Sequence, residues 1–139
     1  MKDSTIKFLE MIQTIINRLA NNSFQFKGWF ITLIVAINIF DLTKPSLNKK
    51  LIIILITIIF LIFDMYYLYL EKLYRKLYVA ALLGQVEDFD MNIERFKNKR
   101  LYFKTLCSVS AYPYYFTLLF ITLYIIYNHF QIYFRITWN

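Results

Sequence analysis

Asp64 is the residue whose position in the sequence has the clearest chemical consequence. It is the only formally charged residue in the run LIIILITIIFLIFDMYYLYL, which lies between Lys50 and Glu71. A carboxylate inside a membrane segment is costly, and such residues line ion paths or pair with another polar group. Two roles are therefore open for Asp64. It is either a pore-lining or gating carboxylate that attracts cations, or a partner of Lys27 or a tyrosine hydroxyl that joins two helices.

Lys27 and Asn38 are the other polar residues that we place inside or beside the membrane. Asn38 lies within a second apolar segment, GWFITLIVAINIFDL, and Lys27 directly precedes it. Lys27 can run its apolar stem along a helix while its ammonium group reaches headgroup phosphates or a carboxylate. Trp29, two residues later, has the apolar body and polar tip that suit a membrane interface.

Enzymatic chemistry has no motif in this sequence. His129 is the single histidine and Cys107 the single cysteine, so neither has the companions of a metal site or a disulfide. There is no glycine loop that could cradle a phosphate, and no Ser-His-Asp set. We predict that the chain is not an enzyme and that it has no catalytic residue, cofactor or metal.

The composition indicates an all-α integral membrane protein. Of the 139 residues, 59% are hydrophobic and 20% aromatic, with only two glycines and two prolines. A bilayer core about 30 Å thick needs roughly 20 apolar residues of helix to cross it, and the run around Asp64 meets that need. We predict an N-terminal amphipathic helix and three transmembrane helices, in a chain that forms an oligomer.

The element boundaries follow from helical spacing and from turn-forming residues. Asn21, Asn22 and Ser23 favour a turn after the amphipathic helix, which can lie among headgroups or pack against neighbouring subunits. Pro113 predicts a kink in the last span. The predicted single membrane domain, 1–139, comprises an amphipathic helix and turn (1–23), a first span (24–42), a second span with a cytosolic extension (50–83), a cytosolic connection (84–104) and a third span (105–134).

The net charge of +7 is best explained by membrane topology. Basic residues concentrate in the N-terminal region and the second connection, which predicts a cytosolic N-terminus and an external C-terminus. Lipid headgroups then explain these residues more simply than a nucleic acid, which we do not expect as a partner. The residues predicted to contact the membrane interface or a partner are Trp29, Arg75, Lys76, Arg95, Lys97, Lys99 and Arg100.

Three segments carry a resemblance to known proteins: LANNSFQFKGWFITL (19–33), FDMYYLYLEKLYRKLY (63–78) and the FDM that starts at Phe89. Together they resemble a family of small bacterial multi-span membrane proteins associated with anti-phage defence loci. These include the membrane accessories of the RADAR adenosine-deaminase system and of some RNA-targeting CRISPR loci. The resemblance covers most of the chain and implies a bacterial inner-membrane location, but it assigns no role to individual residues.

Two functions follow as hypotheses from the resemblance and the intramembrane acid. The first is an anti-phage defence effector that forms a homo-oligomer and permeabilises or depolarises the inner membrane, which halts infection at the expense of the cell. The second is a non-conducting membrane anchor or accessory that recruits or regulates a cytosolic defence partner. A small transporter subunit is a third hypothesis, which the absence of internal repeats disfavours.

Overall fold

The computed structural model describes residues 2–39 and 47–137, with side chains for 2–37, 51–121 and three later positions. Over these ranges the chain is helical and contains no strand, which confirms the all-α class. The α-helices are α1 (Asp3–Ile39), α2 (Leu47–Leu82), α3 (Lys99–Leu106) and α4 (Tyr112–Thr137). Two short 3-10 turns lie at Glu94–Phe96 and Val109–Ala111. The predicted loop between the first two spans lies outside the described residues.

Helix α1 runs without interruption through the position of the predicted turn. Asn21, Asn22 and Ser23 all lie inside this 37-residue helix, so the predicted turn is wrong. The physical reason is that the buried stripe of the helix continues past this point. Leu19, Ser23 and Phe30 are all buried on the side that faces α2. The amphipathic helix and the first predicted span are therefore one element.

Helices α1 and α2 form a long antiparallel hairpin. At one end, Phe8 and Ile12 pack with Leu77 and Ala81 in a buried cluster. Toward the other end, the Phe30 ring lies 5.8 Å from the Phe60 ring, measured between centroids. Residues early in α1 thus face residues late in α2 along most of the length of both helices. This pairing positions the two helices for the polar contacts described below.

The segment after α2 folds back against the start of α1. Gly84 has φ of +67°, a conformation that glycine adopts at little cost and that commonly ends a helix. The Asp88 carboxylate oxygen Oδ2 accepts hydrogen bonds from Ser4 Oγ at 2.7 Å and Thr5 Oγ1 at 3.2 Å. The Phe89 ring lies 5.8 Å from the Phe8 ring. This predicted connection is thus a packed part of the fold.

The last third of the chain is not the single kinked helix that we predicted over 105–134. Helix α3 ends at Leu106, a 3-10 turn follows, and α4 begins at Tyr112. Pro113 is therefore the second residue of α4 and does not kink it. A proline is tolerated in the first turn of a helix, because an N–H group there has no carbonyl partner within the helix.

One described helical stretch, Leu51–Leu82, has the length and apolar composition needed to cross a membrane. Only 22% of its most apolar 18-residue window is buried inside the protein. A core helix of a soluble protein would be mostly buried, so the exposed side chains favour contact with another apolar phase. Ile62 and Leu55, for example, are 62% and 58% exposed.

Candidate functional site

The predicted polar residues Lys27 and Asp64 meet in the interface between α1 and α2. Ser23 and Lys27 are four residues apart in α1, so both side chains lie on the same face of the helix. Asp64 lies in α2, directly opposite this pair. The hairpin thus brings a cation, a hydroxyl and a carboxylate together.

The three side chains form a closed set of short contacts. Lys27 Nζ lies 2.6 Å from Asp64 Oδ1, and Ser23 Oγ donates a hydrogen bond to the same oxygen at 2.5 Å. Lys27 Nζ also donates to Ser23 Oγ at 2.8 Å. Asp64 is fully buried, whereas 17% of the Lys27 side chain is exposed. The serine therefore helps to hold both charges in position.

Two buried oxygens beside this triad have no hydrogen-bond partner among the described residues. These are Asp64 Oδ2 and the hydroxyl of Tyr114. Tyr114 belongs to α4 and is completely buried, with its ring 4.7 Å from that of Phe30. Phe30 lies on the same face of α1 as Ser23 and Lys27, so this ring contact places Tyr114 beside the triad. The first turn of α4 thus meets the hairpin beside the ion pair.

Aromatic rings cluster around Phe26, the residue that precedes Lys27 in α1. The Phe26 ring lies within 6.0 Å of the rings of Phe60, Phe63 and Tyr67, all in α2. Trp29 lies 5.5 Å from Phe26 and is 59% exposed. Rings around an ion pair lower the local dielectric constant, which strengthens the attraction between the charges.

The predicted basic residues of the second connection lie apart from this triad. Arg95 pairs with Asp90, and its guanidinium group lies 5.6 Å from the centroid of the Phe96 ring. The backbone N–H of Asn92, aided by Arg95, holds the pKa of Asp90 below its usual value. Lys97 Nζ lies 2.5 Å from Glu94 Oε1, and this hydrogen bond raises the pKa of Lys97.

The remaining predicted contact residues are distributed over α2 and the start of α3. Arg75 pairs with Glu71 one helical turn earlier at 2.7 Å, and Lys76 is exposed. Lys99 and Arg100 are exposed in the first turn of α3. Asn38 lies in α1, but its side chain is outside the described set. The structure thus separates a buried polar triad from an exposed basic surface.

Sequence reasoning identified two members of the triad and missed the third. Ser23 was assigned to the turn, although its spacing of four residues from Lys27 was a usable signal. Tyr114 was missed because no pattern in the sequence pairs it with Asp64. Within 2–39 and 47–137, no cluster of three or more His, Cys, Asp or Glu residues could hold a metal.

Comparison with known proteins gives no further identification. No family model, curated protein or solved structure matches the chain. The geometry of this molecule is therefore the basis on which its function is inferred.

Proposed function

We propose that the chain is an integral protein of the bacterial inner membrane with three spans, a cytosolic N-terminus and an external C-terminus. The exposed apolar surface of Leu51–Leu82 supports this placement. The charge distribution supports it too, because eleven of the sixteen basic residues fall in the segments assigned to the cytosol and only four in those assigned to the outside. The three spans are then the later half of α1, the first two thirds of α2, and α4.

This placement sets the level of each group along the membrane normal. Asp64 follows Lys50 by fourteen residues, or about 21 Å of helix, so it lies about 9 Å inside the cytosolic boundary of a 30 Å core. Glu71 then falls at that boundary, about 10 Å beyond Asp64. The rest of α2 and its neighbour, the early part of α1, extend into the cytosol.

Within this placement the geometry favours an anchor or accessory that binds a cytosolic partner of a defence system. The observation that carries this proposal is an apolar patch at the end of α2, formed by Val79, Leu82 and Leu83, which are 53%, 50% and 65% exposed. These residues share one helix face because they are three and four positions apart. They lie roughly 22 to 28 Å from Asp64, which is well outside the hydrocarbon. Lipid chains cannot cover them there, whereas a protein partner can.

The charges next to the patch indicate what kind of surface would fit it. Arg75 and Lys76 are exposed one turn before Val79. A partner surface with an apolar centre and an acidic rim would complement both features. The anti-phage context of such a partner comes from the family resemblance.

The buried ion pair also favours an anchor over a pore. Asp64 is fully buried and both Lys27 and Ser23 bind its Oδ1 atom, so in this conformation it faces its own hairpin. A carboxylate in this position stabilises helix packing and does not line a path for ions. Conduction would require the triad to open.

A pore-forming effector is a second candidate because two buried oxygens have no hydrogen-bond partner among the residues that the structure describes. Asp64 Oδ2 and the Tyr114 hydroxyl would both lie within the proposed hydrocarbon layer. Reorganisation of α4 in a homo-oligomer would bring them to water or to ions, which would compensate the unsatisfied groups. Three helices cannot enclose a pore alone, so this candidate requires oligomerisation.

Infection of cells that express the chain together with its flanking genes separates the candidates. Leu83→Glu places a charge in the apolar patch, and Gln85→Glu is the control because it adds the same charge at an exposed position two residues away. The accessory is supported if Leu83→Glu abolishes protection and Gln85→Glu retains it. In that case infection should also leave the membrane potential, reported by a dye, unchanged. Depolarisation on infection that disappears with Asp64→Asn would support the pore instead. If wild type gives no protection, the proposed role in defence is wrong.

A further inference from the structure

An aromatic groove with basic residues on its rim lies between the middle of α2 and the start of α3. It has a volume of about 310 Å³ and is lined by Tyr69 of α2 and by Lys97, Asn98, Lys99, Tyr102 and Phe103. The rings of Tyr69 and Tyr102 meet edge to face, with centroids 5.6 Å apart. Phe103 is 65% exposed. The groove therefore combines an apolar wall with charged side chains.

The charge of this region is strongly positive. From Glu94 to Lys104 there are five basic residues and one acidic residue, Glu94 itself. Glu94 pairs with Lys97, and this hydrogen bond raises the pKa of the lysine. Lys99, on the same rim, is exposed. An anionic ligand would thus meet at least one lysine whose charge Glu94 does not offset.

The backbone at the start of α3 is already partly occupied. The Asn98 side chain accepts a hydrogen bond from the Arg100 N–H at 2.8 Å, and the Asn98 carbonyl accepts one from the Leu101 N–H. Binding of an anion would therefore depend on the lysine ammonium groups more than on free amide groups of the helix. Substitution of the lysines is consequently the informative change.

The groove lies at the right level to contact lipid headgroups. Tyr69 follows Asp64 by five residues, which places it about 7.5 Å nearer the cytosol along α2. Because Asp64 lies about 9 Å inside the hydrocarbon boundary in the proposed placement, Tyr69 is close to that boundary. Tyrosine rings and lysine ammonium groups are characteristic of this layer.

We infer that this groove binds the headgroup of one anionic phospholipid, with the phosphate beside Lys97 and Lys99 and the acyl chains along Tyr102 and Phe103. The inference rests on the proposed membrane placement and adds a defined lipid site to it. The positive charge of the groove and its depth near the hydrocarbon boundary both favour a lipid over a cytosolic polyanion. A soluble phosphate compound would lack the acyl chains that the exposed aromatic rings can contact.

The test is a lipid titration of the purified protein followed by native mass spectrometry. We expect wild type to retain one phosphatidylglycerol about tenfold more tightly than phosphatidylcholine. The double substitution Lys97→Gln with Lys99→Gln should remove most of that preference. Each lysine near an anionic surface increases the affinity about fivefold, and Glu94 reduces the contribution of Lys97. The control, Lys2→Gln with Lys7→Gln, removes the same charge from exposed positions just before and within the first turns of α1 and should leave the preference unchanged.

Several results would overturn the lipid site. Equal retention of the two lipids by wild type would do so, and so would an equal loss in the control, which would indicate a diffuse surface charge. Binding of glycerol phosphate as tightly as phosphatidylglycerol would indicate a site for soluble anions, because the acyl chains would then contribute nothing. Failure of the membrane placement itself is detected separately, because alkaline carbonate would then strip the protein from vesicles of either composition.

Discussion

At the scale of single residues, the structure shows Asp64 in contact with one of the partners that the sequence left open. Pairing with Lys27 was one alternative, and the structure shows it at 2.6 Å. Pairing with a tyrosine hydroxyl was another, and Tyr114 is close to Asp64 without bonding to it. Ser23 adds a contact with Asp64 that was not predicted, because Ser23 was expected to lie in a turn. The ion pair therefore acts as a specific connection between α1 and α2.

Removal of one charge from this pair should be much more harmful than removal of both. Asp64→Leu leaves the Lys27 ammonium group buried without a counter-ion, and we expect the free energy of unfolding to fall by about 3 to 5 kcal/mol. The double variant with Lys27→Met should recover most of that loss, because no uncompensated charge remains. Unfolding of the purified protein in detergent micelles, followed by circular dichroism, measures both effects.

The exposed Arg75 pair supplies the control for that experiment. Glu71→Gln breaks a contact in which 61% of the arginine side chain is exposed, so it should cost less than about 1 kcal/mol. If the costs of Asp64→Leu and Lys27→Met simply add in the double variant, the two side chains are not energetically coupled and the assigned role of the pair is wrong.

At the scale of elements, sequence reasoning succeeded where the signals were local and continuous. The predicted boundaries of the second segment, 50–83, are close to those of the observed helix Leu47–Leu82. An apolar run broken only by Asp64, helical spacing that continues beyond Glu71, and the glycine at position 84 define them. The predicted turn at Asn21 failed because residues that favour helix ends were opposed by a tertiary contact, that of Ser23 with Asp64. The kink predicted at Pro113 is absent for a related reason. A proline kinks a helix only in its interior, and the position of the helix start was not evident from the sequence.

The continuity of α1 can be tested at Asn21, which is exposed and lies in the helix interior. Asn21→Pro removes a backbone hydrogen bond and introduces a clash with the preceding turn, which should cost about 3 kcal/mol or more. Asn21→Ala, the control, should be neutral or slightly stabilising because alanine has the higher helix propensity. Thermal unfolding and far-ultraviolet circular dichroism report the difference. A proline variant as stable as the alanine variant would restore the predicted turn.

At the scale of the whole molecule, the hairpin is longer than a hydrocarbon core is thick. Helix α1 alone has 37 residues, or about 55 Å, against a hydrocarbon core of about 30 Å. Its early part packs with the late part of α2 around Phe8, and the Asp88 loop covers that end. The charges that begin at Glu71 separate this end from the apolar run. The molecule thus has one half suited to lipid and one half suited to water.

Ile62 and Val79 provide a matched pair of positions on α2 that tests this division. Their side chains are similarly exposed, at 62% and 53%, so packing within the protein changes little when either is replaced. In the proposed placement Ile62 lies roughly 12 Å inside the hydrocarbon, whereas Val79 lies in the cytosol. Ile62→Arg should therefore disfavour insertion by about 2.5 to 3.5 kcal/mol, and Val79→Arg should have almost no effect.

The measurement is the fraction of each variant that resists alkaline carbonate extraction at equal synthesis. A soluble protein would tolerate arginine equally at both sites, so equal fractions would reject the membrane placement. A smaller fraction for Ile62→Arg alone would locate the hydrocarbon boundary between residues 62 and 79.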